Sequence, residues 1–328
     1  MRWTLIDGVI SSVTKVWYTG HNDYRKLTLD EGPTNTFTME LRDVETVTYN
    51  TVQEAYTEHL KSALLPVEVL YSGGLDSESA IVGCLQNNIP VVAVSMRLLF
   101  RGNPINVHDL YYSEKFCRNH GVKQYHFDLN LDSFFGNGDH TKYMEPYNLL
   151  EPNTPTQMWL VEQCHSFPII GGDYTWPQEK VYSPHRYEFA MFDVFMREQS
   201  IPGIGNMISH SLESNMFFIK EHLSLRKKHS INGDYLAIGQ FKLQLLENLG
   251  FGKLEARHRS DGWEFVKRSN LWLDTIQPVI NSSVTKSKNT KSIIKWNMSL
   301  GNLLEIGPGS NDNYGMTNLI GLLRRKTL

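Results

Sequence analysis

The stretch from Pro66 to Leu85 limits what this chain can become more than any other. Val67-Glu68-Val69-Leu70-Tyr71 is a short β-branched and apolar run that reads as a buried strand. Ser72-Gly73-Gly74-Leu75-Asp76-Ser77 follows as a glycine-bearing turn. Ala80, Ile81, Val82, Cys84 and Leu85 then form an apolar helical face, which Asn87-Asn88 bring to a stop. A strand, a glycine turn and a helix start make an anion site. Backbone N–H groups and the helix dipole point outward, and glycine lets a phosphate approach the main chain closely. The hydroxyls of Ser72 and Ser77 add hydrogen bonds, and Asp76 adds a carboxylate suited to Mg²⁺. Two other phosphate loops are excluded: the chain has no G-x-x-x-x-G-K-[ST], and no G-x-G-x-x-G follows the strand.

The residues after this unit alternate strand and helix. Pro90 to Met96 reads as a second buried strand, His108 to Asn119 as a helix closed by Gly121, and Gln124 to Leu129 as a third strand. Thr156 to Cys164 reads as another helix, and Phe167-Pro168-Ile169-Ile170 as a fourth strand running into Gly171-Gly172-Asp173. That order predicts an α/β fold with a doubly wound parallel sheet and right-handed crossovers. Ligands of such sheets sit past the carboxyl ends of the strands, where the strand order reverses. If the fourth strand lies beside the first, Asp76 and Asp173 face each other across that crevice.

Flanking regions differ in character. Residues 1–50 carry short alternating runs such as Phe37-Thr38-Met39-Glu40-Leu41, separated by turn residues, and predict a small antiparallel β domain. Val52, Ala55, Tyr56, His59, Leu60, Ala63 and Leu64 have helical spacing. The α/β domain is then expected over 51–180 and a mainly helical region over 181–328. Within that region Tyr187 to Glu198, Asn206 to His222 and Asp234 to Leu249 read as helices, and the polar stretch Asn281 to Ser292 as a mobile loop.

Composition removes several classes. A formal charge of −3 gives no sequence-independent grip on nucleic acid. No apolar run is long enough to span a membrane and Met1-Arg2-Trp3-Thr4 opens no signal peptide, so a cytoplasmic protein is expected. Cys84, Cys117 and Cys164 are too far apart for a C-x-x-C site, and the histidines show no H-E-x-x-H pattern.

The loop resembles the PP-loop, S-G-G-x-D-S, of the ATP pyrophosphatases. Together with Ile170-Gly171-Gly172-Asp173 it looks like the synthetase domain of the asparagine synthetase and β-lactam synthetase family, over roughly residues 60 to 270. The resemblance implies an adenine nucleotide α-hydrolase-like fold, with ATP held at Ser72, Gly73, Gly74, Asp76 and Ser77. It also implies Mg²⁺ shared by Asp76 and Asp173. Phe241-Lys242-Leu243-Gln244-Leu245-Leu246 matches the family's K-x-x-L-R-x helix, and Arg257-His258-Arg259 falls where the family has R-x-K. Lys242 and Arg259 are thereby implied as the catalytic cations that neutralise the adenylating transition state. Each residue also has a plainer reading. Asp76 could be a helix cap, Asp173 a turn cap, Lys242 a solvated lysine, and Arg257 and Arg259, with Lys253 and Lys267, a solvated basic stretch. Asp109 reads as an early-helix carboxylate held by the dipole.

The departures from the family narrow the expected activity. Arg2 stands where glutamine-dependent members expose a cysteine, so no glutamine hydrolysis is expected. Ile170 replaces a glutamate that can act as a base, and Arg259 replaces a lysine. The expected function is an ATP-dependent, AMP- and pyrophosphate-forming ligase. It would adenylate a carboxylate or carbonyl oxygen of a small molecule for attack by ammonia or an amine. The alternatives are a PP-loop enzyme modifying RNA or a nucleobase, and a nucleotide-binding module without catalysis. Arg324-Arg325-Lys326 keeps a nucleic-acid partner open without favouring it.

Overall fold

The computed structural model describes residues 63–147, 152–171, 198–205, 238–257 and 262–279, single positions between them, and the backbone of three further strands. Its centre is β2 (Val67–Leu70), a strand buried along its whole length. A strand with neighbours on both edges and helices on both faces needs a continuous apolar run, which Val67, Val69 and Leu70 supply. Glu68 is the exception. Its carboxylate accepts hydrogen bonds from the backbone N–H groups of His165 and Ser166, both at 2.7 Å, and so ties β2 to the turn that enters β6 (Phe167–Ile169).

On one side β2 pairs in parallel with β3 (Val91–Phe100), and β3 pairs in parallel with β5 (Lys123–Asn130). On the other side β2 pairs in parallel with β6, in the register Val67↔Phe167 and Val69↔Ile169. The parallel order is therefore β5-β3-β2-β6, with a short β4 (Asn103–Pro104) antiparallel on the end of β3. Ile204 extends the sheet beyond β6, bonding Ile170 and Pro168 through its backbone. The chain winds outward from β2 through β3 to β5, then returns to β2's other edge. The strand order thus reverses between β2 and β6, as the sequence expects of a doubly wound sheet.

The helices are amphipathic covers. α1 (Leu75–Gln86) buries Ala80, Ile81 and Cys84 against the sheet and stops at Asn87-Asn88. α2 (Val107–His120) buries Leu110, Phe116 and Cys117 and ends at Gly121, whose φ of 65° is the left-handed geometry that glycine supplies at a helix end. α3 (Leu131–Gly136) and α4 (Thr141–Tyr147) are absent from the sequence reading because each is too short to show a period. The Asn130 side chain nevertheless caps α3 by accepting from Ser133 N–H at 3.1 Å. α5 (Asn153–Val161) starts and ends about a turn earlier than the expected Thr156 to Cys164, with Pro155 accommodated in its first turn. β3 runs four residues past the expected Met96, because β5 keeps pairing with it as far as Leu99.

From the C-terminal region comes α6 (Ile238–Leu246), continued by a π-turn over Glu247–Phe251 that closes where Gly250 takes φ 91°. Leu245, Leu246, Leu249 and Phe251 share one core with Val67, Val69, Tyr71, Ile81 and Phe116. α7 (Trp263–Val266) and a π-turn at Trp272–Ile276 follow, and Trp263 meets Phe135 edge-on. To this helical part the structure adds strands β7 (Ile294–Met298) and β8 (Leu303–Ile306), antiparallel to each other. The alternation in Ile294-Lys295-Trp296-Asn297-Met298 is a strand signal that the helical reading passed over. β7 pairs in parallel with β1 (Phe37–Met39), the described strand of the N-terminal β region. The rest of that region, most of the helices expected over 52–64, 187–198 and 206–222, and the stretch 281–292 lie outside the described residues. Among the described residues no helix is long and apolar enough to cross a membrane.

One buried titratable group has no sequence precedent. His140 is 2% exposed and packs beside Phe135, with ring centroids 4.9 Å apart. Burial lowers its pKa, although the Phe134 carbonyl, Glu145 and Asp139 pull the other way. The unfolded chain then takes up a proton that the folded chain resists. Stability present above the ordinary histidine range is lost as pH falls through it. Urea unfolding at pH 7.5 and 5.5 should show a fall in stability at the lower pH, and His140→Leu should shrink that fall.

Candidate phosphate-binding site

Everything at the carboxyl end of β2 converges on the turn Tyr71 to Gly74. Upstream it is held by a polar relay through the sheet. Gln124 Nε2 donates to Ser95 Oγ at 2.7 Å, and Ser95 Oγ donates to the Tyr71 carbonyl at 2.7 Å. Gly73 has φ +75°, and a Cβ there would stand 2.4 Å from the Asp109 carbonyl oxygen in the first turn of α2. Only glycine fits, for reasons of both backbone conformation and space. Gly74 is the N-cap of α1, so the first turn of the helix opens at the loop with its N–H groups lacking intrahelical acceptors.

β6 brings the second glycine turn to the same place. Gly171 has φ +70°, and a Cβ on it would lie 3.0 Å from Ser77 Cβ. The end of β6 therefore rests on the start of α1, the adjacency that the sequence argument required. Asp173 itself, two residues further on, lies outside the described residues, as does Arg259.

The remaining expected residues fall as follows. Ser72 is exposed at the tip, while Ser77 is buried and its Oγ donates to the Gly74 carbonyl at 3.2 Å. Asp76, in the first turn of α1, accepts a hydrogen bond at Oδ2 from Lys242 Nζ. The two side chains are only 10% and 14% exposed. The solvated reading of Lys242 thus does not hold. Leu245 and Leu246, three and four residues later, are fully buried, so Lys242 lies on the same face of α6, one turn nearer the loop. Asp109 is buried beneath Gly73 as well as being an early-helix carboxylate.

Sequence reasoning missed the best-connected group of the site. Glu78, 1% exposed on α1, forms a two-pronged pair with Arg257: Nη2 donates to Oε1 at 2.5 Å and Nη1 to Oε2 at 2.7 Å. Tyr71 Oη donates to the same carboxylate, and Arg257 Nη1 also donates to the Gly73 carbonyl at 2.5 Å. The guanidinium stacks over Tyr112 at 5.2 Å. Burial opposes the charge on Arg257, yet the hydrogen bonds and charge of Glu78 outweigh it and raise the arginine's pKa. Burial, then the neighbouring Glu78 carboxylate, push the Tyr71 phenol well above its ordinary range. The signal was present in the sequence. Glu78 stands three residues before Ile81, on the apolar face of α1, where a carboxylate demands a cation. Of the basic stretch weighed from sequence, Arg257 is therefore an internal residue.

No family model matches the chain, and no curated protein matches it. Among solved structures, it is similar to the ammonia-dependent NAD synthetase of Campylobacter jejuni at 14% identity. That match covers 74% of this chain and 96% of the other, with a TM-score of 0.33. The NMN synthetase of Francisella tularensis is 10% identical over 66% of this chain and 98% of its own, with a TM-score of 0.29. A U34-tRNA thiolase of Methanococcus maripaludis is 11% identical over 71% and 77%, also with a TM-score of 0.29. Likeness at this level identifies no family and no activity.

The space around Gly73 makes a measurable claim. Gly73→Ala adds a collision with the Asp109 carbonyl to the cost of a left-handed backbone, so stability should drop by more than about 2 kcal/mol. Gly102→Ala, at φ +75° with nothing within 4 Å, is the control and should cost about 1 kcal/mol. Equal losses in chemical denaturation would show that Gly73 is not confined.

Proposed function

We propose that the crevice between β2 and β6 binds the pyrophosphate portion of ATP, and that the protein is an ATP-dependent synthetase releasing AMP and pyrophosphate. One juxtaposition carries this reading. A glycine loop of S-G-G-L-D-S sequence opens a helix where the strand order reverses, and a lysine 166 residues away is brought onto its aspartate. Anionic ligands favour such a helix start, and the largely buried Lys242 ammonium, paired with Asp76, stands beside it.

In this reading the amides of Gly73, Gly74 and the first turn of α1 receive phosphate oxygens, with Ser72 and Ser77 contributing hydroxyls. Lys242 and Arg259 offset the charge that builds on the leaving pyrophosphate. Among the described residues no three His, Cys, Asp or Glu side chains gather into a metal site. The chemistry of two carboxylates beside phosphate oxygens fits an Mg²⁺ arriving with the nucleotide, which Asp76 and Asp173 would hold. A bound Mg²⁺ would add charge stabilisation of the phosphates.

The finer proposal is an asparagine synthetase-like reaction, in which a small-molecule carboxylate or carbonyl oxygen is adenylated and then attacked by ammonia or an amine. Ile170 bears on the second step. It is buried and its N–H donates to the Ile204 carbonyl at 3.1 Å, so this position offers sheet structure and no base. The amine must then arrive unprotonated or meet its base elsewhere. Sulfur transfer to RNA is the weaker reading. Burial pushes the thiols of Cys84, Cys117 and Cys164 up to about 12, with Glu78 adding to the effect at Cys117 and Glu68 at Cys164. None is poised as a thiolate.

Calorimetry with Mg·ATP and a pyrophosphate-release assay against extracts of small carboxylates and amines test the proposal. AMP and pyrophosphate should appear in equal amounts; stoichiometric ADP would overturn it. Lys242→Ala and Asp76→Asn should each lower turnover about a hundredfold or more while the fold persists.

A further inference from the structure

We propose that the buried Arg257–Glu78 pair positions the phosphate loop: the arginine of the C-terminal region holds the Gly73 carbonyl and thereby aims the loop's amides. This rests on the nucleotide-binding reading above for its consequence, though not for its geometry.

A peptide group is planar and trans, so its C=O and the next N–H point in opposite directions. Gripping the Gly73 carbonyl at 2.5 Å therefore fixes the direction of the Gly74 N–H, one of the donors of the proposed anion site. Glycine has no intrinsic preference to hold that direction, and Gly73 is followed by a second glycine. The restraint must come from outside the loop. Arg257 can provide it because its own position is fixed on every side. Both Glu78 oxygens engage it, Tyr112 lies beneath it, and two residues earlier the Glu255 carboxylate accepts from Lys115 of α2 at 2.9 Å. Glu78 is in the first turn of α1, so the guanidinium connects the loop to the helix that the loop begins. Tyr71, the residue before the loop, joins the same carboxylate. One guanidinium–carboxylate pair thus contacts the residue entering the turn, the turn itself and the helix leaving it.

The pair is neutral as a whole, so it adds little field at the phosphates. Arg257 is accordingly a positioning residue and not a catalytic one, whereas Lys242, ion-paired with Asp76 at the helix start, is the cation that the proposed function places beside the phosphates. These two roles separate experimentally. Removing one member of the pair strands a buried charge and can unfold the protein, whereas removing both can leave stability nearly unchanged. The informative protein is the double variant Glu78→Gln, Arg257→Met. It keeps an acceptor for Tyr71 and the net charge of the chain while releasing the Gly73 carbonyl.

Two readouts are needed on the full chain. Without ligand, amide hydrogen exchange over residues 72–77 should accelerate about tenfold or more in the double variant, while β2 and the middle of α1 stay protected. With Mg·ATP as probe, its dissociation constant should rise about 10- to 100-fold, the scale seen when an outer partner of a binding group is lost. The salt dependence of binding should stay that of the wild type. Unchanged exchange in the loop, in a variant whose melting temperature is retained, would overturn the proposal. So would faster exchange with undiminished ATP affinity. If the wild-type protein binds no Mg·ATP while the loop loosens as expected, the nucleotide reading falls and the positioning of the loop by Arg257 stands.

Discussion

A guanidinium and a carboxylate buried together near the loop constrain the rest of this structure. Taking such charges from water costs several kcal/mol per ion, and the attraction between them recovers it only when the geometry is good and the remaining donors are used. Arg257 meets both conditions through two bonds to Glu78, one to Gly73 and a stacking face on Tyr112. Such an arrangement contributes less to stability than to uniqueness, because any displacement of α1, the loop or the 255–257 segment strands a charge. The three pieces are therefore specified relative to one another, and they are the pieces from which the proposed phosphate-binding site is built.

Hydrophobic packing does the complementary work. α6 is placed by Leu245 and Leu246, which join the core under α1 and β2, and Lys242 follows from them by helical geometry. The polar relay from Gln124 through Ser95 fixes the Tyr71 carbonyl without a buried group left unbonded in the chain of contacts. The loop thus sits between an apolar floor and a small set of satisfied polar anchors. Preorganisation of that kind is what a site for a highly charged ligand requires.

The sequence discloses this plan unevenly, and the reasons are physical. β2, the loop and α1 are legible because strand, glycine turn and amphipathic helix each leave a local pattern. The return of β6 to the edge of β2 follows from alternation of strand and helix together with the rule for crossovers. Lys242 was visible as a motif residue, but its contact with Asp76 depends on where α6 packs, which no local pattern encodes. Glu78 and Arg257 were harder still. A charged residue on an apolar face announces that a partner exists without saying which, and 179 residues separate these two. α3 and α4 escaped because helices of one or two turns carry no measurable period, and β7 because a helical setting obscured its alternation.

The sharing of one core by α6, α1 and β2 also bears on how fast the site can change. Lys242 is one helical turn from side chains wedged in that core, so its backbone cannot swing away from Asp76 without tearing apolar contacts open. The ammonium can still leave the carboxylate by rotating about its own four-carbon stem. Exchange of one anionic partner for another would then need a rotamer change of one side chain, and not the microsecond-to-millisecond rotation of a hinged domain.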